Sequence, residues 1–241
     1  MNNTGFSKGD ILVPNVECMS AWSVIACDQY TSQPQYWRDV ETKPSTLNMM
    51  VPEIRFASDD LDQRICSVNR AMRTYLRRHM FYEVHDYIYS RRVLSNGKVR
   101  CGLVGVIDLE QYEFHPGSQT TVRATEGVIQ SLIEPRLAIR DLTPLEVSHT
   151  MLLIDDRENT VFASLEQELD QMQLLYSFDL MMGSGSISGY LVTPEQSDRP
   201  GADRSCHPGG DAEKVRHHRQ RHLCLRGRRR QQLDCHRQAA L

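Results

Sequence analysis

Two polar segments carry the side chains best suited to chemistry, and the first spans residues 28–33 (Asp-Gln-Tyr-Thr-Ser-Gln). It follows residues 22–27, which are predicted as a buried strand because β-branched residues are frequent there. Polar groups just beyond the end of a strand often face a ligand crevice in α/β sheets. The segment is therefore a candidate site, and a plain turn between strand and helix is the alternative. The candidates are Asp28 as a catalytic carboxylate and Gln29, Thr31 and Ser32 as ligand-binding residues.

The second segment, residues 118–126 (Ser-Gln-Thr-Thr-Val-Arg-Ala-Thr-Glu), combines hydroxyls, one guanidinium and one carboxylate. Arg123 could bind a phosphate or carboxylate with two parallel hydrogen bonds, and Glu126 could act as a base or a metal ligand. Ser118 and Thr125 would add hydroxyl groups to the same ligand site. The alternative is a helix start, with Thr125 as its cap and Arg123 paired with a surface acid.

Two further features have simpler explanations. His149 precedes a predicted buried strand, where a lone histidine is more often structural. The pair Asp155-Asp156 could hold Mg²⁺ beside a phosphate, but Arg157-Glu158-Asn159 follows and favours a turn. No Walker loop, GxGxxG, HExxH or GxSxG motif occurs, so the common motif-based activities have no support.

The predicted elements indicate an α/β fold with a mixed, α+β-like sheet, because strands and helices do not alternate regularly. Strands are predicted over residues 11–13, 22–27, 82–94, 99–109, 150–154 and 187–192. Residues 95–98 (Ser-Asn-Gly-Lys) predict a hairpin turn, and the apolar strand after it is expected to be central in the sheet. Helices are predicted over 34–41, from Leu61 to Met80 after a cap at Asp59 or Asp60, near 125–133, and from Ser164 to about Tyr176.

Composition separates the chain into an ordinary globular part and an unusual tail. Residues 1–198 carry 17 basic and 27 acidic side chains, whereas residues 199–241 carry 11 and 4. No Phe, Trp, Tyr, Ile or Met follows Tyr190, so the tail is predicted to be disordered. Scattered cysteines without a CxxC pair, and apolar runs too short to cross a bilayer, favour a cytoplasmic protein without a membrane partner.

Several sequence blocks identify a family resemblance. Residues 11–14 (Ile-Leu-Val-Pro), 22–34 (Trp-Ser-Val-Ile-Ala-Cys-Asp-Gln-Tyr-Thr-Ser-Gln-Pro) and 123–127 (Arg-Ala-Thr-Glu-Gly) are the clearest. Residues 44–48, 95–98, 154–156 and 178–182 continue the match in the same order. The chain resembles a prokaryotic family catalogued as domain of unknown function 1015, over about residues 11–196. We therefore expect residues 1–196 to be the N-terminal part of one such domain.

The resemblance also gives the tail an explanation. In that family a Gly-Asp-Gly-Asn/His block and a helix follow the last strand matched here. When residues 225–239 are back-translated and read one nucleotide later, permitted third bases give a Gly-Asp-Gly-Asn block. A frame break near residues 196–199 would account for both the Arg/His/Cys excess and the missing aromatics. We therefore predict that residues 197–241 are out of frame.

The family resembles the ParB/sulfiredoxin-like group, which implies phosphoryl transfer or nucleotide binding with a small-molecule substrate. In full-length relatives the Gly-Asp-Gly-Asn loop would hold phosphate. Arg123 would add positive charge, and Glu126 would act as base or Mg²⁺ ligand beside a nucleotide. This chain lacks the loop and is expected to be inactive. The alternatives are a non-enzymatic ligand-binding or interaction module, and, least favoured, nucleic-acid binding through the basic tail. The oligomeric state is left open.

Overall fold

The computed structural model describes residues 5–41, 46–113, 115, 117–124, 127, 129–147 and 149–192. The described residues form two compact units. Unit 1 holds those within Met1–Ile25, Tyr75–Gly127 and Met151–Arg219, and unit 2 holds those within Ala26–Thr74 and Val128–Thr150. Helices and several sheets are present, so the predicted mixed α/β class is confirmed. Residues 197–241 lie outside the described residues, and the disorder and frame break proposed for them remain predictions.

A four-stranded antiparallel sheet with the order β5-β4-β10-β9 is the largest sheet of unit 1. Its strands are β4 (Ile88–Val93), β5 (Val99–Val104), β9 (Gln173–Asp179) and β10 (Ser186–Leu191). The prediction for residues 187–192 is confirmed by β10. However, β5 is an edge strand, and the prediction of a central strand is wrong. Its apolar side chains instead cover the core of unit 1, where Cys101 and Leu103 pack beside buried Tyr89.

The predicted hairpin at residues 95–98 joins β4 to β5. The backbone N–H of Leu94 donates to the carbonyl of Lys98 (2.8 Å), and Asn96 Oδ1 accepts from the N–H of Lys98 (3.1 Å). Gly97 has a φ of 78°, while Asn96 stays outside the left-handed region. Glycine is therefore needed at one position of this turn and asparagine serves as a local acceptor.

Short strand pairs complete unit 1. They are β1 (Phe6–Ser7) with β6 (Val106–Ile107), β2 (Ile11–Pro14) with β3 (Phe81–Val84), and the parallel pair β7 (Tyr112–Glu113) with β8 (Val122–Arg123). The strand predicted at residues 11–13 is confirmed. The single strand predicted over 82–94 is divided into β3 and β4, because the Asp86 carboxylate accepts from the N–H of Tyr87 (2.8 Å) at a bend between them.

Two of the predicted strands do not form. Residues 22–27 contain the end of α1 (Met19–Trp22) and an irregular segment, in which the N–H of Ile25 donates to Met181 Sδ (3.1 Å). Residues 150–154 are also irregular, and Leu153 is 57% exposed. Both runs are short and apolar, and such runs do not by themselves distinguish strands from packed loops.

Helix α5 (Thr160–Gln167) begins and ends earlier than predicted. The Asp156 carboxylate accepts from the N–H groups of Thr160 and Val161, both at 2.8 Å, and so satisfies donors of the first turn. Ser164 lies inside the helix and donates to the Val161 carbonyl, so its prediction as a cap is wrong. The chain then enters β9, which corrects the helix predicted to reach Tyr176.

Unit 2 is helical. It contains α2 (Pro34–Glu41), most of α3 (Leu61–Arg77) and α4 (Ile133–Leu142). The first two were predicted, and the α3 stripe buries Ile65, Val68 and Met72. The helix predicted near 125–133 falls partly outside the described residues, and in its described part only a 3₁₀ turn (Gln130–Leu132) precedes α4, which begins at Ile133. None of the described helices is long and apolar enough to cross a membrane.

Candidate functional site

Residues 118–123, here called the 118–123 loop, form a hydroxyl-rich turn in unit 1. The parallel pairing of β7 with β8 holds its end, with Glu113 opposite Arg123, and Val122 anchors it at 4% exposure. Ser118 Oγ lies 2.9 Å from Thr120 Oγ1, and Thr120 Oγ1 donates to the Val122 carbonyl (3.1 Å). These internal hydrogen bonds fix the loop and leave its half-buried surface polar.

Arg123 supplies the positive charge of the loop. Its Nη1 donates to the Ser118 carbonyl at 3.4 Å, so the guanidinium folds back over the loop. Among the described residues no carboxylate lies within ion-pair distance of Arg123, and Glu113 instead contacts His115 Nδ1 at 2.5 Å. The alternative of Arg123 paired with a surface acid therefore finds no support in the described part of the chain. Thr125 and Glu126 lie outside the described residues.

The other predicted segment, residues 28–33, forms two successive turns in unit 2. The N–H of Gln29 donates to the Ala26 carbonyl (3.0 Å), and the N–H of Gln33 donates to the Tyr30 carbonyl (3.1 Å). Asp28 Oδ1 accepts from Gln29 Nε2 at 3.3 Å, while Thr31 and Ser32 are exposed. The geometry is that of the turn alternative. It leads from an irregular segment, and not from a strand, into α2.

The predicted site residues thus fall into two groups. Ser118 and Arg123 lie together in unit 1, whereas Asp28, Gln29, Thr31 and Ser32 lie together in unit 2. The acidic pair 155–156 takes the turn alternative, because Asp156 caps α5 and Asp155 lies 3.4 Å from Arg157 Nε.

A partly buried network that the sequence did not reveal joins β4, β5 and α5. Glu166 Oε1 accepts from the Tyr89 hydroxyl and from Cys101 Sγ (3.4 Å), and it lies 3.3 Å from Arg91 Nε. Burial raises the pKa of Glu166, but the two hydrogen bonds and the charge of Arg91 outweigh it, so the pKa lies below its usual value. Burial also raises the pKa values of Tyr89 and Cys101. A thiol with a raised pKa is a poor nucleophile, so Cys101 is not favoured as a nucleophile.

Asp10, Glu83 and His85 form an exposed cluster in unit 1 whose ligand-type atoms lie within 4.8 Å of one another. His85 Nδ1 lies 2.8 Å from Asp10, and Nε2 lies 3.7 Å from Glu83. The imidazole thus places one nitrogen toward each acid. The hydrogen bond to Asp10 and the charge of Glu83 raise the pKa of His85. The arrangement is that of a surface ion pair, which favours the imidazolium.

Unit 2 contains a cavity of about 50 Å³ between its helices and the segment after α2. Its wall is mostly apolar and includes buried Cys27, Met49 and Val51. Arg136 and Arg140, one turn apart on α4, supply the basic part of the wall. The sequence does not reveal this cavity, since its lining comes from four separated segments and no motif marks it.

This geometry defines a mixed α/β protein of two units. One unit carries the 118–123 loop with Arg123, and the other contains a small cavity. The chain belongs to the family described as protein of unknown function (DUF1015), whose model matches residues 12–198. The predicted resemblance is therefore confirmed over nearly the whole described region. No curated protein and no solved structure gives a significant match to this chain.

Proposed function

We propose that this chain binds a phosphate-bearing small molecule, such as a nucleotide, through the 118–123 loop, and that it does not turn this ligand over. One observation carries the proposal: the Arg123 guanidinium lies over a hydroxyl-rich loop and is bonded there to a backbone carbonyl (3.4 Å). A guanidinium has five N–H donors in a planar fork that matches phosphate oxygens. Within the described residues Arg123 makes this one hydrogen bond and no ion pair, which leaves its other donors for a ligand.

Phosphoryl transfer in full-length relatives is the finer part of the proposal, and it rests on the expected ParB/sulfiredoxin-like relationship. Such catalysis depends on positioning and on charge stabilisation of the phosphoryl group. Arg123 would supply this charge. Glu126 would serve as base or Mg²⁺ ligand, with Thr125 beside it. Without the Gly-Asp-Gly-Asn block, we expect binding without turnover.

The binding step is tested by calorimetric titration of the full chain with ATP and ADP in the presence and absence of Mg²⁺. Removing a hydrogen-bonded guanidinium from a phosphate costs about 1.5–3 kcal/mol, so Arg123→Ala should weaken binding by about 10- to 100-fold. Arg157→Ala is the matched control, because Arg157 lies in the same unit with a side chain 73% exposed. Equal affinity of the native chain and Arg123→Ala would refute the assignment of the loop.

A non-enzymatic binding module is the second candidate. For either function we propose a cytoplasmic location, which the free cysteines among the described residues support. The two candidates separate in a chain whose reading frame is restored after residue 196. Product formation by that chain would support the enzyme, and saturable binding without product would support the module. Nucleic-acid binding by the tail would instead show steep salt dependence and would disappear on deletion of residues 197–241.

A further inference from the structure

Asp10, Glu83 and His85 lie on the outward face of the strand pair that β2 forms with β3. In that pair Ile11 lies opposite Val84, so the next positions, Asp10 and His85, face each other just beyond the strands. Val84 is buried, whereas Glu83 and His85 on either side of it are exposed. Successive side chains alternate between the two faces of a strand, so Glu83 and His85 project from the same side. The strand register therefore brings the three side chains together.

The imidazole of His85 is held through one nitrogen and presents the other to a carboxylate. Nδ1 lies 2.8 Å from Asp10 Oδ1, and Nε2 lies 3.7 Å from Glu83 Oε2. A histidine that binds a metal usually donates its other ring N–H to a carboxylate, which fixes the tautomer and the orientation of the ring. Asp10 is placed for this supporting contact. His85 Nε2 and Glu83 Oε2 are then a pair of candidate ligands.

The separation of these two atoms suits one bridging metal ion. Zinc binds histidine nitrogen and carboxylate oxygen at about 2.0–2.2 Å, so two of its tetrahedral ligands lie roughly 3.3–3.5 Å apart. The 3.7 Å between His85 Nε2 and Glu83 Oε2 is close to this distance, and a small side-chain rotation brings both atoms into range. Both side chains are more than half exposed, at 67% and 51%, so water can complete the coordination.

The charge balance of the cluster favours a divalent cation. Two carboxylates share one imidazole, and among the described residues no lysine or arginine forms an ion pair with Asp10 or Glu83. Lys8, two residues before Asp10, is paired with Asp86 at 3.2 Å. A protonated imidazole offsets one of the two negative charges, whereas a divalent ion would offset both. Its binding would release the proton from Nε2 to the solvent, because a ligating histidine is neutral.

The mixture of nitrogen and oxygen ligands selects the class of ion, since imidazole suits Zn, Cu, Fe and Ni, whereas Mg and Ca prefer oxygen ligands. We propose that Asp10, Glu83 and His85 form a binding site for a divalent transition-metal cation such as Zn²⁺. His85 Nε2 and Glu83 are the ligands, and Asp10 holds the ring. None of these residues belongs to the 118–123 loop, so the site stands or fails independently of phosphate binding there.

The test uses the full chain labelled with ¹⁵N in its histidines, stripped of metal and kept at a pH where the imidazoles are neutral. His85→Gln identifies the His85 signals among those of the nine histidines, so zinc bound elsewhere in the chain is not mistaken for this site. Titration with zinc chloride should shift the Nε2 signal of His85 saturably, while Nδ1 keeps its proton. Magnesium chloride at the same concentrations should leave both signals in place.

His115 provides an internal comparison in the same unit. It is also exposed and contacts Glu113, but among the described residues it is not part of a three-residue group of metal-ligating type. Its signals should therefore need at least about tenfold more zinc than those of His85 to reach half of their full shift.

Two variants separate the ligand from its support. Glu83→Gln removes the carboxylate ligand, and Asp10→Asn removes the acceptor that orients the ring. Each should weaken zinc binding at His85 by about tenfold or more, because the loss of a supporting carboxylate alone costs about 10- to 100-fold. Glu110→Gln is the control, since it removes the charge of an exposed glutamate in the same unit, and it should leave the affinity unchanged.

Four results would overturn the proposal. They are an unshifted His85 signal in zinc, an equal shift in magnesium, saturation of His85 and His115 at the same zinc concentration, and native zinc affinity in Glu83→Gln.

Discussion

Replacing Tyr89 by phenylalanine tests whether Glu166 joins β4, β5 and α5. Tyr89 is fully buried, and its hydroxyl donates to Glu166 Oε1, which also contacts Cys101 and Arg91. The substitution removes the hydroxyl and retains the ring, so the contact with Phe162 (6.2 Å between ring centroids) is preserved. The measured loss therefore reports the hydrogen bond and not a cavity.

The magnitude follows from the surroundings of the carboxylate. A hydrogen bond to a charged group contributes about 1.5–3 kcal/mol. The Glu166 side chain is 34% exposed and keeps two other partners, so water and these partners offset part of the loss. We therefore expect Tyr89→Phe to lower the free energy of unfolding of unit 1 by about 1–2 kcal/mol at neutral pH.

The loss of unfolding free energy in Tyr89→Phe should also depend on pH in a definite direction. A carboxyl group whose folded-state pKa is lowered stabilises the fold above its unfolded pKa, and this contribution is lost as the pH falls through the folded pKa. Glu166 is such a group, with an ordinary value of 4.5 and a lowered pKa in the fold. Removing the Tyr89 donor raises that pKa toward its ordinary value. The cost of Tyr89→Phe should therefore be greatest at neutral pH and should shrink once the solution is acid enough to protonate Glu166.

Urea denaturation followed by tryptophan emission measures these quantities. Replacing Trp37 by phenylalanine in every variant leaves Trp22 as the single tryptophan, and Trp22 is buried against Tyr75 in unit 1 (5.3 Å between ring centroids). Glu166→Gln is the control background, in which the cost of Tyr89→Phe should fall. A loss below about 0.5 kcal/mol, or an equal loss at neutral and acid pH, would show that the Tyr89 hydrogen bond does not stabilise the ionised Glu166 carboxylate.

Two further predictions concern single side chains. NMR titration should give His85 a pKa above its ordinary 6.5, and Asp10→Asn should lower it, because the Asp10 hydrogen bond is the largest cause of the shift; an unchanged pKa in that variant would contradict the ion pair. Met72→Ala should lower the free energy of unfolding of unit 2 by about 2–4 kcal/mol in urea denaturation, since Met72 is 1% exposed and its removal enlarges a cavity. A loss below about 1 kcal/mol would show that the site collapses or was already loose.

The sequence was sufficient to predict an element where several local signals agree. Pro34 marks the start of α2, and the stripe of α3 buries Ile65, Val68 and Met72 as its spacing predicts. The hairpin turn could be predicted because position 97 is a glycine, the residue type that adopts a positive φ without strain. In each case the deciding atoms lie within a few residues of one another in the chain.

The sequence was insufficient to predict features that depend on contacts between residues far apart in the chain. Residues 22–27 and 150–154 are apolar enough for strands, but neither finds a sheet partner, and pairing is a property of the whole fold. The Glu166 network joins side chains that are separated by 65 and by 77 positions in the sequence, so no spacing rule could reveal it. The cavity at Arg140 is not visible in the sequence for the same reason, because its lining residues come from distant parts of the chain.

We propose that the 118–123 loop binds phosphate and that this chain does not turn the ligand over. Phosphorus NMR of ATP mixed with the full chain tests both parts at once, because binding broadens or shifts the phosphate signals and turnover creates new ones. We expect broadened or shifted signals with the native chain, a much smaller perturbation with Arg123→Ala at the same concentrations, and no new resonance with either. New phosphorus signals with the native chain, or equal perturbation by Arg123→Ala, would contradict it.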